Sequence, residues 1–82
     1  MSNDKVINDS LIKIGSHIKK LRTTKKLSGY SLGIMSEVSS SVIARIEKGQ
    51  REPRLSTLLK IIEGLEMTPA EFFNNFNERL LY

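Results

Sequence analysis

Cysteine and tryptophan are absent from this chain of 82 residues, which contains only one histidine and two prolines. Without cysteine, neither a disulfide nor a thiolate-bound metal can reinforce the fold. No apolar run approaches the roughly 18 residues that span a bilayer, and the N-terminus lacks the basic start and apolar core of a secretory signal. We therefore expect one small, soluble, cytoplasmic domain with no membrane partner.

Basic residues are plentiful, and they are unevenly placed. The formal net charge is +4. Ten basic and three acidic residues lie between Lys13 and Arg54, whereas two basic and four acidic residues lie between Leu55 and Tyr82. A surface that binds a polyanion requires such a concentration of positive charge. A solvated lysine surface would produce the same pattern, so charge alone leaves both interpretations open.

Catalytic and metal-binding patterns are missing from the sequence. His17 is the only histidine and has no plausible ligand or base partner nearby, so we expect a partly exposed side chain on the first helix. Neither a glycine-rich phosphate loop nor a paired acidic motif occurs. We therefore predict a protein that is not an enzyme and that uses no cofactor or metal.

The spacing of apolar residues predicts helices and no strands. A first helix is expected over about 11–25, because its apolar residues recur on one face. Residues 1–9 are expected to form a flexible arm, followed by a single domain over 10–82. Three further helices are predicted over about 29–36, 40–48 and 56–65.

The later helices differ in how clearly the sequence marks them. The second and fourth contain apolar residues that we assign to the core, among them Met35, Leu55 and Leu59. The start of the fifth is marked locally, because Thr68 and Glu71 have the spacing of a capping box. This fifth helix is predicted over about 69–81.

Two short helices joined by a tight turn make a helix-turn-helix at about 29–48. The segments IGSHIKKLR, IEKGQREP and LSTLLKIIEGLEMTP flank it in a distinctive order and spacing. Over about 14–73 the chain resembles the Cro and lambda-repressor-like, or XRE-type, family of transcriptional regulators. The resemblance implies an all-α, five-helix lambda-repressor-like fold. It also implies a homodimer that binds a near-palindromic operator in double-stranded DNA, with the third helix in the major groove. Typical members are repressors, restriction–modification controllers and antitoxins.

The opening of the third helix supplies the expected base contacts. Ser39 is expected to cap this helix, while the short hydroxyls of Ser40 and Ser41 donate and accept hydrogen bonds at the bases. One turn later, Ala44 can pack on a thymine methyl and Arg45 can form two hydrogen bonds with guanine. The alternatives are that the serines are solvated surface and that Arg45 contacts a phosphate or a carboxylate.

Other matched positions are expected to contact the DNA backbone or a minor groove. They are Lys25, Gly29, Tyr30, Lys48, Gln50, Arg51 and Arg54. Arg22 and Glu47 match the structural ion pair that links the first and third helices in the family.

Two departures from the family pattern concern anchoring on DNA. Gly29 replaces a phosphate-binding glutamine, and Glu37 occupies a left-handed turn position that is usually glycine.

The fifth helix carries more apolar side chains than so small a core needs, and we assign the surplus to a dimer interface. The residues concerned are Phe72, Phe73, Phe76, Leu80 and Leu81. A fully intramolecular core is the alternative.

A second interpretation of the whole chain is a protein-interaction module of the same fold, such as an antitoxin whose main partner is a toxin. The departures at Gly29 and Glu37, and the expected exposure of Ile34 and Leu81, favour it.

Overall fold

The computed structural model describes residues 4–74 and 76, which form an all-α fold without strands. In chain order the helices are α1 (Asp4–Thr24), α2 (Gly29–Ser36), α3 (Ser40–Glu47), α4 (Leu55–Gly64) and α5 (Pro69–Asn74). α1 packs against α3, while α2 packs against both α3 and α4. The prediction of five helices in an all-α fold is confirmed.

The first helix begins at Asp4, so the flexible arm predicted over 1–9 is wrong for its described part. Asp4 lies in the first turn, where a carboxylate interacts favourably with the helix dipole. Lys5 Nζ and Asp9 Oδ2 form an i,i+4 ion pair at 3.3 Å, and Ser10 is buried. These polar features extend the helix beyond the apolar stripe from which its start was predicted.

All five helices contribute to one core. Within α3, Ile43 and Ile46 lie three residues apart on the buried face. Leu65, which follows α4, completes the cluster with no measurable exposure. The buried apolar side chains of the described residues are Ile18, Leu32, Ile43, Ile46, Leu58, Ile61, Ile62, Leu65 and Phe72.

Three residues assigned to the core from the sequence lie at the surface instead. Leu55, Met35 and Leu59 are 72%, 44% and 42% exposed. Leu55 shares a helix face with the buried Ile62, seven residues later, but it is the first residue of α4 and no neighbouring helix within residues 4–74 covers it. Apolar spacing identifies the face of a helix, and the packing of its neighbours decides how much of that face is covered.

A buried histidine joins α1 to α5. His17 was expected to be partly exposed, but it is buried, and its Nε2 lies 2.9 Å from the Phe72 carbonyl oxygen. Because a carbonyl oxygen only accepts, Nε2–H donates this bond. The imidazole packs edge-on against Phe72 and Phe76, with ring centroids 4.7 and 5.0 Å away. Phe72 is fully buried, so its predicted place in a dimer interface is wrong, and it belongs to the core of its own chain.

The start of α5 follows the capping box expected from the sequence. Glu71 N–H donates to Thr68 Oγ1 at 3.1 Å, and Thr68 N–H donates to Glu71 Oε1 at 2.8 Å. α5 is described as far as Asn74. The predicted continuation to residue 81, with Leu80 and Leu81, lies outside the described residues except for Phe76.

Candidate nucleic-acid interface

α3 has a polar outer face opposite its buried apolar one. Ser40, Ser41 and Arg45 are exposed, and Ala44 is half-buried between them and the core. Residues four apart are neighbours on a helix surface, so Ala44 follows Ser40 and Arg45 follows Ser41. The helix thus brings all four predicted base-contact residues to one side, with small side chains at its start and a cation one turn later.

The N-terminus of α3 is capped by a serine. Ser39 has an extended backbone, and its Oγ accepts a hydrogen bond from the Val42 N–H at 3.3 Å. The same oxygen lies 3.2 Å from Ser41 Oγ. The first turn of a helix carries partial positive charge, and here it is surrounded by short side chains. This end of α3 therefore suits close approach to a polyanion.

A tight left-handed turn sets α3 against α2. Glu37 has φ 59° and ψ 38°, the conformation that the usual glycine would adopt without strain. The N–H groups of Glu37 and Val38 donate to the carbonyl oxygens of Ile34 and Gly33 at 3.3 and 3.0 Å. A Cβ on Gly33 would lie 2.7 Å from the Val38 carbonyl oxygen, so glycine is needed for the two segments to come this close.

A partly buried ion pair connects α1 to the end of α3. Arg22 Nε donates to Glu47 Oε2 at 2.7 Å, and Arg22 Nη2 donates to Glu47 Oε1 at 3.0 Å. Only 14% of the Arg22 side chain and 7% of the Glu47 side chain are exposed. The hydrogen bonds that Arg22 donates to Glu47 raise the pKa of Arg22, and this effect outweighs the lowering caused by burial. Arg22 Nη1 also donates to the Leu27 carbonyl oxygen at 2.9 Å, which holds the segment before α2.

α1 also supports α3 through close backbone approach. Gly15 is buried against the last turn of α3, and a Cβ there would overlap the carbonyl oxygen of Ile46. Beyond α3, Gly49 has a left-handed φ of 74° and packs on Ile12. The predictions made from the sequence assign no role to Gly15. An isolated glycine inside an amphipathic helix is the sequence signal that could have indicated this close approach of two backbones.

The residues predicted to contact the DNA backbone lie at the ends of the helix-turn-helix. Lys25 lies in the turn after α1, Gly29 and Tyr30 open α2, and Arg54 precedes α4. Gly29 is half-buried, and the others are exposed. The residues that follow α3 are Lys48, Gln50 and Arg51.

Among the described residues, no group of histidine, cysteine and carboxylate side chains could hold a metal ion. No helix in the described part of the chain is both long enough and apolar enough to cross a membrane. The surface of the helix-turn-helix contains a groove between α2 and the start of α3, lined by Tyr30, Gly33, Ile34, Glu37, Val38, Ser39 and Ser40.

These features define a class of protein: an exposed, capped helix fixed on a second helix by a tight turn is a helix-turn-helix domain of the lambda-repressor-like fold. The helix-turn-helix family matches residues 18–72 of the chain. The chain therefore belongs to the XRE-type helix-turn-helix family of transcriptional regulators, as the resemblance predicted. Members of this family are DNA-binding regulators and not enzymes.

Three known proteins illustrate the relationship. The chain is 41% identical over 69 residues to an uncharacterized HTH-type transcriptional regulator of Haemophilus influenzae, covering 80% of this chain and 69% of that protein. It is 34% identical over 73 residues to the control protein C.MunI of a Mycoplasma species, covering 88% of this chain and 99% of that protein. The restriction–modification controller protein C.Esp1396I, solved as a tetramer with its natural 35-base-pair operator, is similar with a TM-score of 0.81 and 29% identity. That similarity covers 89% of this chain and 96% of the other.

Proposed function

We propose that this protein is a transcriptional regulator of the controller type, which binds a near-palindromic operator as a homodimer with α3 in the major groove. The observation that carries the proposal is the outer face of α3, where two serines and an arginine are exposed beside a capped N-terminus. Similarity to C.MunI and to the operator-bound C.Esp1396I supports a controller role. The face is held rigidly by α1 and α2, as a reading surface requires.

Base recognition depends on four residues of α3 in this proposal. Ser40 and Ser41 are short enough to let the helix enter the groove deeply, and their hydroxyls accept or donate at base edges. Ala44 packs on a thymine methyl. Arg45 forms two hydrogen bonds with guanine O6 and N7, a pairing worth about 1–3 kcal/mol of discrimination.

Residues around this reading surface hold the duplex in place. The α2 N-terminus offers the backbone N–H groups of Gly29 and Tyr30 to a phosphate. Each phosphate that a cation neutralises adds about −0.9 to the slope of log affinity against log salt. The side chains assigned to the backbone or a minor groove are Lys25, Lys48, Gln50, Arg51 and Arg54.

A twofold dimer would place two α3 helices about 34 Å apart, facing successive major grooves. Phe73 is 39% exposed on α5, and we assign it to the interface. Leu55 and Leu59 on α4 join it, because their exposed apolar surface has no cover within the described chain. Phe76, half-buried against His17, stays a candidate. The tetrameric state of C.Esp1396I on DNA supports a homo-oligomer here.

A second candidate function is a protein-interaction module of the antitoxin kind, with a toxin as the main partner. The observation that favours it is the exposed apolar pair Tyr30 and Ile34 on α2, which is not needed for base recognition. Positive charge around α3 weighs against a protein partner alone. An antitoxin that also binds its own promoter satisfies both observations.

The proposed function is tested by gel-shift with DNA from immediately upstream of the protein's own coding region. Random DNA serves as competitor at roughly 150 mM salt, which suppresses nonspecific binding. We expect specific retention, and we expect Arg45→Ala to weaken it by about 5- to 150-fold for each half-site, because each subunit of the dimer loses one bidentate pair.

Lys60→Ala is the matched control for Arg45→Ala, since it removes one exposed cation from α4, away from the site. We expect it to retain the wild-type affinity. Circular dichroism should show both variants folded. Binding of Arg45→Ala as tight as that of Lys60→Ala would contradict base readout by Arg45, and wild-type binding no tighter than to random DNA would favour the protein-interaction module.

The dimer is tested by sedimentation velocity over a concentration series. Phe73→Ser removes a large aromatic side chain from the proposed interface, and buried aromatic anchors dominate such contacts. We expect the dimer dissociation constant to rise by at least about tenfold. Ile7→Ser is the control, because Ile7 is similarly exposed, at 43%, but lies on α1. Equal dissociation constants for the two variants would show that Phe73 does not lie in the dimer interface.

A further inference from the structure

Two of the three serines around the start of α3 contact each other. Ser39 Oγ accepts a hydrogen bond from the Val42 N–H at 3.3 Å, and it lies 3.2 Å from Ser41 Oγ. Ser40 makes no side-chain hydrogen bond to another described residue. All three serines are exposed. The residue that caps α3 is therefore in direct contact with one of the two hydroxyls assigned to the bases.

The cap fixes the direction of the hydrogen bond between the two hydroxyls. A hydroxyl has one hydrogen to donate and two lone pairs that accept. Ser39 Oγ already accepts from Val42, and a hydroxyl that accepts a hydrogen bond becomes a stronger donor. If Ser41 donated instead, Ser39 would accept twice, and its own hydrogen would have no partner among the described residues. Ser39 therefore donates to Ser41, and Ser41 keeps its own hydrogen for another acceptor.

We propose that Ser39 is a positioning residue, which makes the Ser41 hydroxyl a donor towards DNA and so determines the class of base that Ser41 reads. This inference rests on the proposed function. In the major groove, guanine, adenine and thymine each present an acceptor, whereas cytosine presents only its N4 amino donor. Ser41 donates to N7 or O6 of guanine, to N7 of adenine or to O4 of thymine. Cytosine is disfavoured at the same point.

Exclusion of water from the groove makes this direction matter. In the free protein, water satisfies the hydrogen of Ser41. Against the amino group of cytosine in a closed interface, that hydrogen has no acceptor, and an unsatisfied polar group costs free energy. Ser41 lies at the exposed start of α3 among short side chains, so its hydroxyl can approach a base edge closely. The direction of one hydrogen bond within the protein thus becomes a preference between bases.

The first measurement locates the base pair that Ser41 reads. The operator retained in the gel-shift is changed at one base pair at a time, in one half-site, to each of the other pairs. The position whose preference disappears in Ser41→Ala is the Ser41 position. There we expect the wild type to prefer a pair that presents an acceptor over the pair that presents the cytosine amino group, by about 2- to 13-fold, the equivalent of one hydrogen bond. A Ser41→Ala protein with every wild-type preference intact would overturn the proposal.

Ser39→Asp reverses the direction of the hydrogen bond without removing the cap. Aspartate is an equally good N-cap, so circular dichroism should show α3 intact. A carboxylate only accepts, so Ser41 must donate to it and is left to accept from DNA. We expect the preference at the Ser41 position to shift towards cytosine by about 2- to 13-fold. The added negative charge weakens binding to all these DNAs alike and cancels in the ratio. The preference at the position read by Arg45 is the control and should not change.

Two further variants separate positioning from a direct contact. Ser39→Thr keeps both a hydroxyl and the cap, so it should retain the wild-type preference. The double variant Ser39→Asp/Ser41→Ala should show no preference at the Ser41 position, because Ser39 acts only through Ser41. The proposal is overturned if Ser39→Asp keeps the wild-type preference, if the Arg45 position shifts equally, if Ser39→Thr loses the preference, or if the double variant still prefers cytosine. An absence of specific retention by the wild type would instead contradict the proposed function on which the inference rests.

Discussion

Replacing Glu47 by alanine is expected to lower the free energy of unfolding by about 3–5 kcal/mol, because it leaves a buried charge without its partner. Arg22 would lose both hydrogen bonds to the carboxylate, in a site where only 14% of its side chain is exposed in the intact protein. An arginine side chain does not lose its proton in a protein, so the guanidinium cannot escape the penalty by becoming neutral. For a domain this small, that loss is a large share of a total stability of about 5–15 kcal/mol.

Urea denaturation followed by circular dichroism measures this effect. Glu63→Ala is the matched control, because Glu63 is exposed on α4, and we expect a change of less than about 0.5 kcal/mol there. The double variant Arg22→Met/Glu47→Ala should recover part of the loss, since no buried charge is then left unpaired. A loss below about 1 kcal/mol for Glu47→Ala would show that the pair behaves like an exposed one.

Gly15→Ala is expected to be the second strongly destabilising change, with a loss of up to about 3 kcal/mol, at the upper end for overpacking. The added methyl group would overlap the Ile46 carbonyl oxygen, and backbone cannot move aside as a flexible side chain can. α3 must therefore shift away from α1. Because Ile46 belongs to the helix that carries Arg45, specific DNA binding should weaken further in the fraction that stays folded.

Gly29→Ala separates this steric effect from the general effect of replacing glycine in a helix. A Cβ at Gly29 meets no atom within 4 Å, so the change should be neutral or stabilise by up to about 1 kcal/mol. Thermal unfolding of both variants gives the comparison. If Gly15→Ala were as stable as Gly29→Ala, the close approach of α1 and α3 would not determine the position of α3.

Local features of the sequence predicted much of this structure correctly. The start of α3 follows from its serine cap at Ser39, and the start of α5 follows from the capping box at Thr68 and Glu71. The family pattern placed glycine at the turn position, and Glu37 there has a φ of 59°. The same pattern paired Arg22 with Glu47, which lie far apart in sequence. Caps and turns depend on a few neighbouring residues, so sequence shows them directly.

Other features depended on contacts that spacing does not reveal. The first helix starts at Asp4 because favourable polar pairs extend it, although no apolar stripe marks these turns. His17 is buried because the carbonyl oxygen of Phe72 accepts a hydrogen bond from its Nε2–H and two rings cover it, and all these partners come from the other end of the chain. Phe72 belongs to the core for the same reason.

The sequence by itself determined the helical class, the helix-turn-helix, its caps and the family to which the chain belongs, because these depend on local hydrogen bonds and on apolar periodicity. Only the tertiary structure decided which apolar side chains stay exposed, among them Met35 and Leu55, and which glycine brings two backbones together, at Gly15. Burial is a property of what packs against a face. That depends on all five helices at once and cannot be computed from the spacing of any one of them.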